Sequence, residues 1–99
     1  MKYRSSLLIY MEVLKVLIDG PMTATRLSQV VNVHYDRTKE ILSDLKKGNM
    51  IATTMQDNNE VYVITEEGLV LRRDFERIWA RLRLPWREGS RSGGPSESN

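Results

Sequence analysis

Cysteine is absent from this chain, so neither a disulfide framework nor a thiolate metal site can be built, and an intracellular setting is the simpler reading. Long apolar runs are missing too. The hydrophobic stretch near the N-terminus is broken by Glu12 and Lys15 and leads to no small-residue cleavage site, which argues against a signal peptide and a membrane span. The single histidine, His34, has no neighbour at metal-ligand spacing and reads as a capping or packing residue. No nucleophile–base pair, metal cluster or glycine-rich phosphate loop occurs, so the sequence points away from an enzyme and implies no cofactor. Internal repeats are lacking. The imbalance of charge is slight: 15 basic against 13 acidic side chains leave +2. A sequence pI near 9.1 just meets the usual guide for a nucleic-acid-binding domain and decides little by itself.

What remains is ordinary globular chemistry, 99 residues with 40% hydrophobic and 28% charged side chains, enough for one domain with a modest core. A first helix is expected from Ser6 to Asp19, capped by Ser5 or Ser6 and stopped by Gly20-Pro21. Its apolar residues form two stripes, one through Leu7, Tyr10 or Met11, Leu14, and Leu17 or Ile18, and one through Ile9, Val13 and Val16, so it packs on more than one side. Met22 suits a short strand. Thr23 suits the N-cap of a second helix over 24–31, with Leu27, Val30 and Val31 facing inward, and Asn32 tolerates the left-handed backbone of a tight turn. A third helix is expected from Tyr35 to Lys47, with His34 at its cap, Lys46 and Lys47 complementing its dipole and Gly48-Asn49 ending it.

Two β-favouring segments follow, 51–55 and 60–64, separated by Gln56-Asp57-Asn58-Asn59. Thr65 caps a last helix that opens on Glu66 and Glu67 and reaches Arg83 or Leu84 before Pro85. Two short helices around a tight turn and then a hairpin are the order of a winged helix-turn-helix. The expected class is therefore mainly α with a small β-hairpin. The domain comprises residues 1–65, a C-terminal dimerisation helix 66–84, and a Gly-, Ser- and Pro-rich tail 85–99 expected to be disordered.

On the third helix Thr38, Ile41, Leu42 and Leu45 share a face directed at the core. The opposite face carries Asp36, Lys39, Glu40, Ser43 and Lys47, with Tyr35 and Arg37 on its flanks. The N-terminal residues of such a helix reach base edges in the major groove. Arg37 and Lys39 can donate to guanine or phosphate, and Tyr35 can bond a phosphate or touch a thymine methyl. The alternative is that this is the solvated face of an amphipathic helix, which the two carboxylates favour. The hairpin tip has no Lys or Arg; Asn58 and Asn59 can hydrogen-bond the DNA backbone or simply form the turn, and basic help must come from Lys2, Arg4, Arg26, Lys46, Lys47 or the last helix. Leu71, Phe75, Ile78, Trp79 and Leu82 form one stripe on that last helix, either folded onto the first helix or joined to a second subunit. Homodimerisation is the favoured expectation, because a two-fold dimer sets two recognition helices about one DNA turn apart.

The segments KYRSSLLIYMEVLKVL, TATRLSQVVNVHYDRTKEILSDLKKGNMI and VYVITEEGLVL, covering roughly residues 2 to 83, resemble the small archaeal winged-helix DNA-binding proteins, predicted regulators or chromatin proteins that dimerise through a C-terminal helix. The resemblance implies a dimer that binds double-stranded DNA, with Tyr35, Asp36, Arg37 and Lys39 matching the start of the recognition helix. Gly-Asn-Met-Ile stands where Gly-Leu-Ile is commoner, and the wing lacks a basic tip. The function expected is sequence-specific or architectural DNA binding by a cytoplasmic, nucleoid-associated regulator with no membrane partner. The alternative is a winged-helix module for protein–protein interaction.

Overall fold

The computed structural model describes residues 6–82, which form α1 (Ser6–Ile18), α2 (Ala24–Val31), α3 (Tyr35–Lys47), β1 (Ile51–Gln56), β2 (Asn59–Ile64) and α4 (Glu66–Leu82). Ser5, the basic residues Lys2 and Arg4, the expected helix end at Arg83 or Leu84, and the tail 85–99 lie outside the described residues. Local chemistry accounts for most boundaries. The Thr23 hydroxyl accepts from the Arg26 amide at 3.1 Å, an N-cap that meets one of the orphan donors of α2. At the other end Asn32 takes φ 57°, and the amide of Val33 reaches back to the Ser28 carbonyl at 3.0 Å. His34 caps α3 through Nδ1, which accepts from the Asp36 amide. Helix α1 ends one residue earlier than expected, at Ile18, and Asp19 belongs to the turn.

Helices α1, α2 and α3 and the hairpin enclose one core. Leu14, Leu27, Ile41, Leu42, Leu45 and Ile51 are fully buried, and so is Thr38, whose hydroxyl donates to the Val33 carbonyl at 3.2 Å. The inward face expected of α3 is thus the observed one. The expected inward position of Val30 is not: it is 42% exposed, and Ala24 is buried in its place. A two-turn helix presents one narrow stripe, and Val30 lies about 100° round from Val31. Along the first stripe of α1, Met11, Leu14 and Leu17 are buried as expected, while Leu7 is exposed and Ile18 is not the inward member of its pair.

The hairpin pairs antiparallel from Ile51↔Ile64 to Gln56↔Asn59, so only Asp57 and Asn58 form the turn. The four-residue connection expected from the sequence is corrected by this closure. Asp57 and Asn58 take φ 52° and 67°, the two left-handed positions of a tight turn whose twist matches the strands. Met22 adds a stub of a third strand by exchanging backbone hydrogen bonds with Tyr62 at 2.7 and 3.2 Å.

The start of α4 is latched to the end of α3. The Thr65 hydroxyl donates to the Asn49 carbonyl at 2.8 Å and accepts from the Gly68 amide, and the Asn49 amide side chain donates to Glu67 at 2.6 Å. Beyond the latch α4 packs against α1. The stripe expected on α4 is unevenly buried. Gly68 and Arg72 are buried, and Phe75 and Trp79, half-buried and stacked with ring centres 5.3 Å apart, lie on that side. Leu71, Ile78 and Leu82 lie next to Phe75 on the outer edge of the same stripe and are 39–59% exposed. At 100° per residue the five fall within one arc of about 100°, from Trp79 on its buried edge to Ile78 on its exposed edge, with Phe75 midway between Arg72 and Ile78.

Arg72 is an oddity of this packing. It is 7% exposed, ion-paired through Nη2 to Glu76 at 2.6 Å and set over the Phe75 ring, yet Nε and Nη1 are buried without an acceptor among the described residues. Buried unmet donors cost about 1–3 kcal/mol, and removing Arg72 strands no buried charge, because the Glu76 side chain is 57% exposed and can be hydrated. Arg72→Met is therefore expected to hold or raise the melting temperature; a loss above about 1 kcal/mol in thermal or urea unfolding would contradict this.

Candidate nucleic-acid interface

Helix α3 owes its placement to three different neighbours. Its core face is buried, as described. One flank meets α1: the Tyr10 hydroxyl donates to Asp44 at 2.8 Å, and Arg37 Nη2 donates to the Ser6 hydroxyl at 2.7 Å while Nη1 pairs with Glu40 at 3.3 Å. The other flank meets the wing: Lys39 Nζ donates to the Tyr62 hydroxyl at 3.4 Å and Lys46 Nζ to the Thr53 hydroxyl at 3.3 Å. Between the flanks an outward face remains, carrying exposed Asp36, Glu40, Ser43 and Lys47.

The residues singled out in the sequence fall into distinct places. Tyr35, Asp36, Lys39, Ser43 and Lys47 are all exposed along α3. Arg37 is exposed but lies on the α1 flank, engaged by Ser6 and Glu40. Arg26, in the first turn of α2, borders a cleft shared with Asp57 and Asn59 of the wing. Asn58 and Asn59 are exposed at the hairpin tip, where Asn58 takes the left-handed turn conformation. A second cleft, of about 390 Å³, lies where the start of α2, the first half of α3 and the wing converge; Thr25, Tyr35, Lys39, Glu60 and Tyr62 are among its lining residues.

Two groups here titrate away from their ordinary values. The Lys39 ammonium is held above the usual lysine range, chiefly by its hydrogen bond to the Tyr62 hydroxyl. The Tyr10 phenol is also raised, first by its hydrogen bond to Asp44 and then by burial. Lys39 therefore stays cationic throughout the physiological range. The support from Tyr10 is present below the ordinary phenol pKa near 10 and is lost only as pH rises past its folded value.

Tyr62, Thr53 and Tyr10 are hydrogen-bond partners of α3 that sequence reasoning missed. Tyr62 reads as a strand residue, and its role depends on meeting a lysine 23 positions earlier in the chain. Only its backbone exchange with Met22, a residue expected to form a short strand, hinted that this part of the wing is anchored.

A three-helix unit with a tight turn between α2 and α3, closed by an antiparallel hairpin, defines a winged helix-turn-helix protein. The family profile for winged helix-turn-helix proteins matches residues 3–82, and the chain belongs to that family. A search of curated protein sequences finds no match. Among solved structures the fold is similar to Sco5413, a MarR family transcriptional regulator from Streptomyces coelicolor, with a TM-score of 0.69 at 16% identity, covering 75% of this chain and 54% of that one. It is similar also to MepR, a transcription regulator of the Staphylococcus aureus multidrug efflux pump MepA, with a TM-score of 0.70 at 14% identity, covering 76% and 58%. A third is a cysteine-to-serine mutant of Lactococcus lactis ZitR in complex with DNA, with a TM-score of 0.63 at 14% identity, covering 77% and 52%. The chain thus spans a little over half the length of these regulators. Among the described residues no helix is long and apolar enough to cross a membrane.

Proposed function

We propose that this protein is a non-enzymatic, homodimeric transcriptional regulator of the cytoplasm that binds double-stranded DNA at the nucleoid, with α3 in the major groove. The observation that carries this reading is the exposed, unburied side of α3, held by the wing on one flank and by α1 on the other. Likeness of fold to a regulator crystallised with DNA supports it. Tyr35, Asp36, Arg37, Lys39, Ser43 and Lys47 are the contact residues on α3, with Arg26 at the start of α2 and Asn58 and Asn59 at the wing tip. Dimerisation uses the outer side of α4, where Leu71, Ile78 and Leu82 are exposed, with Phe75 and Trp79 supporting that helix from within.

An anisotropy titration with duplex DNA at low salt tests the reading, and absence of binding would refute it. Within it, Arg37 and Lys47 are expected to act differently. For Arg37 to read a base it must exchange Ser6 and Glu40 for the DNA, so Arg37→Ala is expected to relax sequence preference, by about 1–3 kcal/mol at the base concerned. Lys47→Ala is expected to weaken all sequences alike and to lower the salt slope by about one. A binding-site selection run on both variants separates the two outcomes. A second reading, a module that binds another protein, is favoured by Asp36 and Glu40 at the centre of the outward face, where phosphates would be repelled. A pull-down that recovers one protein partner and no DNA would establish it.

A further inference from the structure

The wing tip carries no cation, but the wing root does, and the charges come from another element. Thr53 and Tyr62 are register partners across the hairpin, so their side chains leave the same face of the sheet. Lys39 and Lys46 are seven residues apart on α3, two turns and about 10 Å along its axis, on one side of the helix. Lys39 donates to the Tyr62 hydroxyl and Lys46 to the Thr53 hydroxyl. One helix thus lays two lysines across one cross-strand pair.

We infer that this lysine–hydroxyl pair of couples is the phosphate grip of the wing: Lys39 with Tyr62, and Lys46 with Thr53, hold the DNA backbone at the wing root, in place of a basic tip. The chemistry follows from the donor inventory. An ammonium has three N–H donors and uses one on the hydroxyl; the hydroxyl accepts it and keeps its own proton to donate. Each couple therefore turns only donors outward, as a phosphate oxygen requires, and charge-assisted bonds of this kind are the stronger ones. Tyr62 is a positioning residue in this scheme. Its ring is buried and its backbone is tied to Met22, so its hydroxyl is a fixed post for the flexible lysine. The cleft beside Lys39 adds Thr25 and Tyr35 as further hydroxyls, and Glu60 is the one carboxylate lining it. Asp36 and Glu40 stand instead on the outward face of α3.

This inference rests on the DNA-binding reading above, and one experiment distinguishes the failure of each. The full chain is titrated into a mixed-sequence DNA duplex by anisotropy, between about 50 and 200 mM NaCl, and log K is plotted against log salt. Lys39→Met and Lys46→Met are each expected to reduce the slope by about one, because each removes one phosphate contact. Lys15→Met, on α1 beside the Leu69 and Arg73 face of α4, is expected to leave the slope unchanged, which controls for bulk charge. Tyr62→Phe keeps the buried ring and loses only the hydroxyl, so affinity should fall about two- to tenfold. In Lys39→Met/Tyr62→Phe the second change should add nothing to the first, since both act through one contact. Unchanged slopes in both lysine variants, an equal fall in Lys15→Met, or independent effects of Lys39 and Tyr62 would overturn the assignment while leaving DNA binding intact. No binding by the unaltered protein would remove the DNA-binding reading itself. Lys39 and Lys46 are exposed, so both variants are expected to fold, and an unchanged melting curve verifies it.

Discussion

Gly68→Ala is expected to destabilise the fold by about 3 kcal/mol or more, although alanine in place of glycine inside a helix ordinarily stabilises by about 1 kcal/mol. The sign reverses because of what a methyl group would meet. A Cβ at Gly68 falls far inside contact distance of the Met50 carbonyl oxygen and 2.8 Å from Cγ1 of Ile64. The first of these is backbone, pinned by its hydrogen bond from the Thr65 amide at 3.0 Å, so it cannot swing aside. Relief requires α4 to lift off the root of the hairpin, which breaks the latch formed by Asn49, Thr65 and Glu67. For a domain of this size the loss corresponds to a fall in melting temperature on the order of 15 °C. Gly48→Ala is the informative contrast. The one tight contact of a Cβ there is with the terminal methyl of Met50, at 2.8 Å, the end of a flexible side chain, and the backbone at φ −82° suits any residue, so near-neutral stability is expected. Thermal unfolding of the two variants side by side checks the prediction. A Gly68→Ala protein as stable as its parent would mean that α4 does not sit on the hairpin as described.

The second large effect concerns assembly. Ile78→Glu is expected to convert the proposed dimer to a monomer and to weaken binding to a two-half-site duplex by about a hundredfold or more. Ile78 is 58% exposed in the single chain, flanked on the same side of α4 by Leu71 and Leu82. Such a run is an apolar surface that a second copy would cover, and a carboxylate at its centre would have to be desolvated without a partner. Because the side chain packs little within its own chain, helix content should be unchanged by circular dichroism. Affinity falls because the second recognition helix no longer benefits from the high effective concentration that tethering supplies. Sedimentation velocity and DNA titration on the same sample give both readouts. A variant that stays dimeric, or a monomer that binds as tightly as the parent, would place the subunit contact elsewhere or remove the need for one.

These two sites differ in how far the amino-acid sequence alone discloses them. Gly68 belongs to the segment VYVITEEGLVL that carries the family resemblance, so its presence is noticeable, but its reason, a carbonyl 18 positions earlier, is not. The apolar residues of α4 are noticeable as a group. Which of them face inward is not, because one apolar arc about 100° wide does not say which of its edges the rest of the chain covers. The core face of α3 is readable for the opposite reason: Thr38, Ile41, Leu42 and Leu45 form one stripe bounded by charge, and only one orientation buries it.

The candidate interface divides in the same manner. That α3 would be bounded by His34 and Gly48, that α2 would begin at Thr23 and stop at Asn32, and that a hairpin would follow, was determined by the sequence itself. Caps, left-handed turns and helical stripes arise from groups a few residues apart, which meet whatever the rest of the chain does. Only the tertiary structure decided that Arg37 is engaged by Ser6 from 31 residues away and that Lys39 and Lys46 lean on Tyr62 and Thr53. Those pairings depend on how α1, α3 and the wing come together around a shared core. Burial of Leu14, Leu27, Ile41, Leu45 and Ile51 sets that arrangement, and the polar side chains on its rim take the partners it brings within reach.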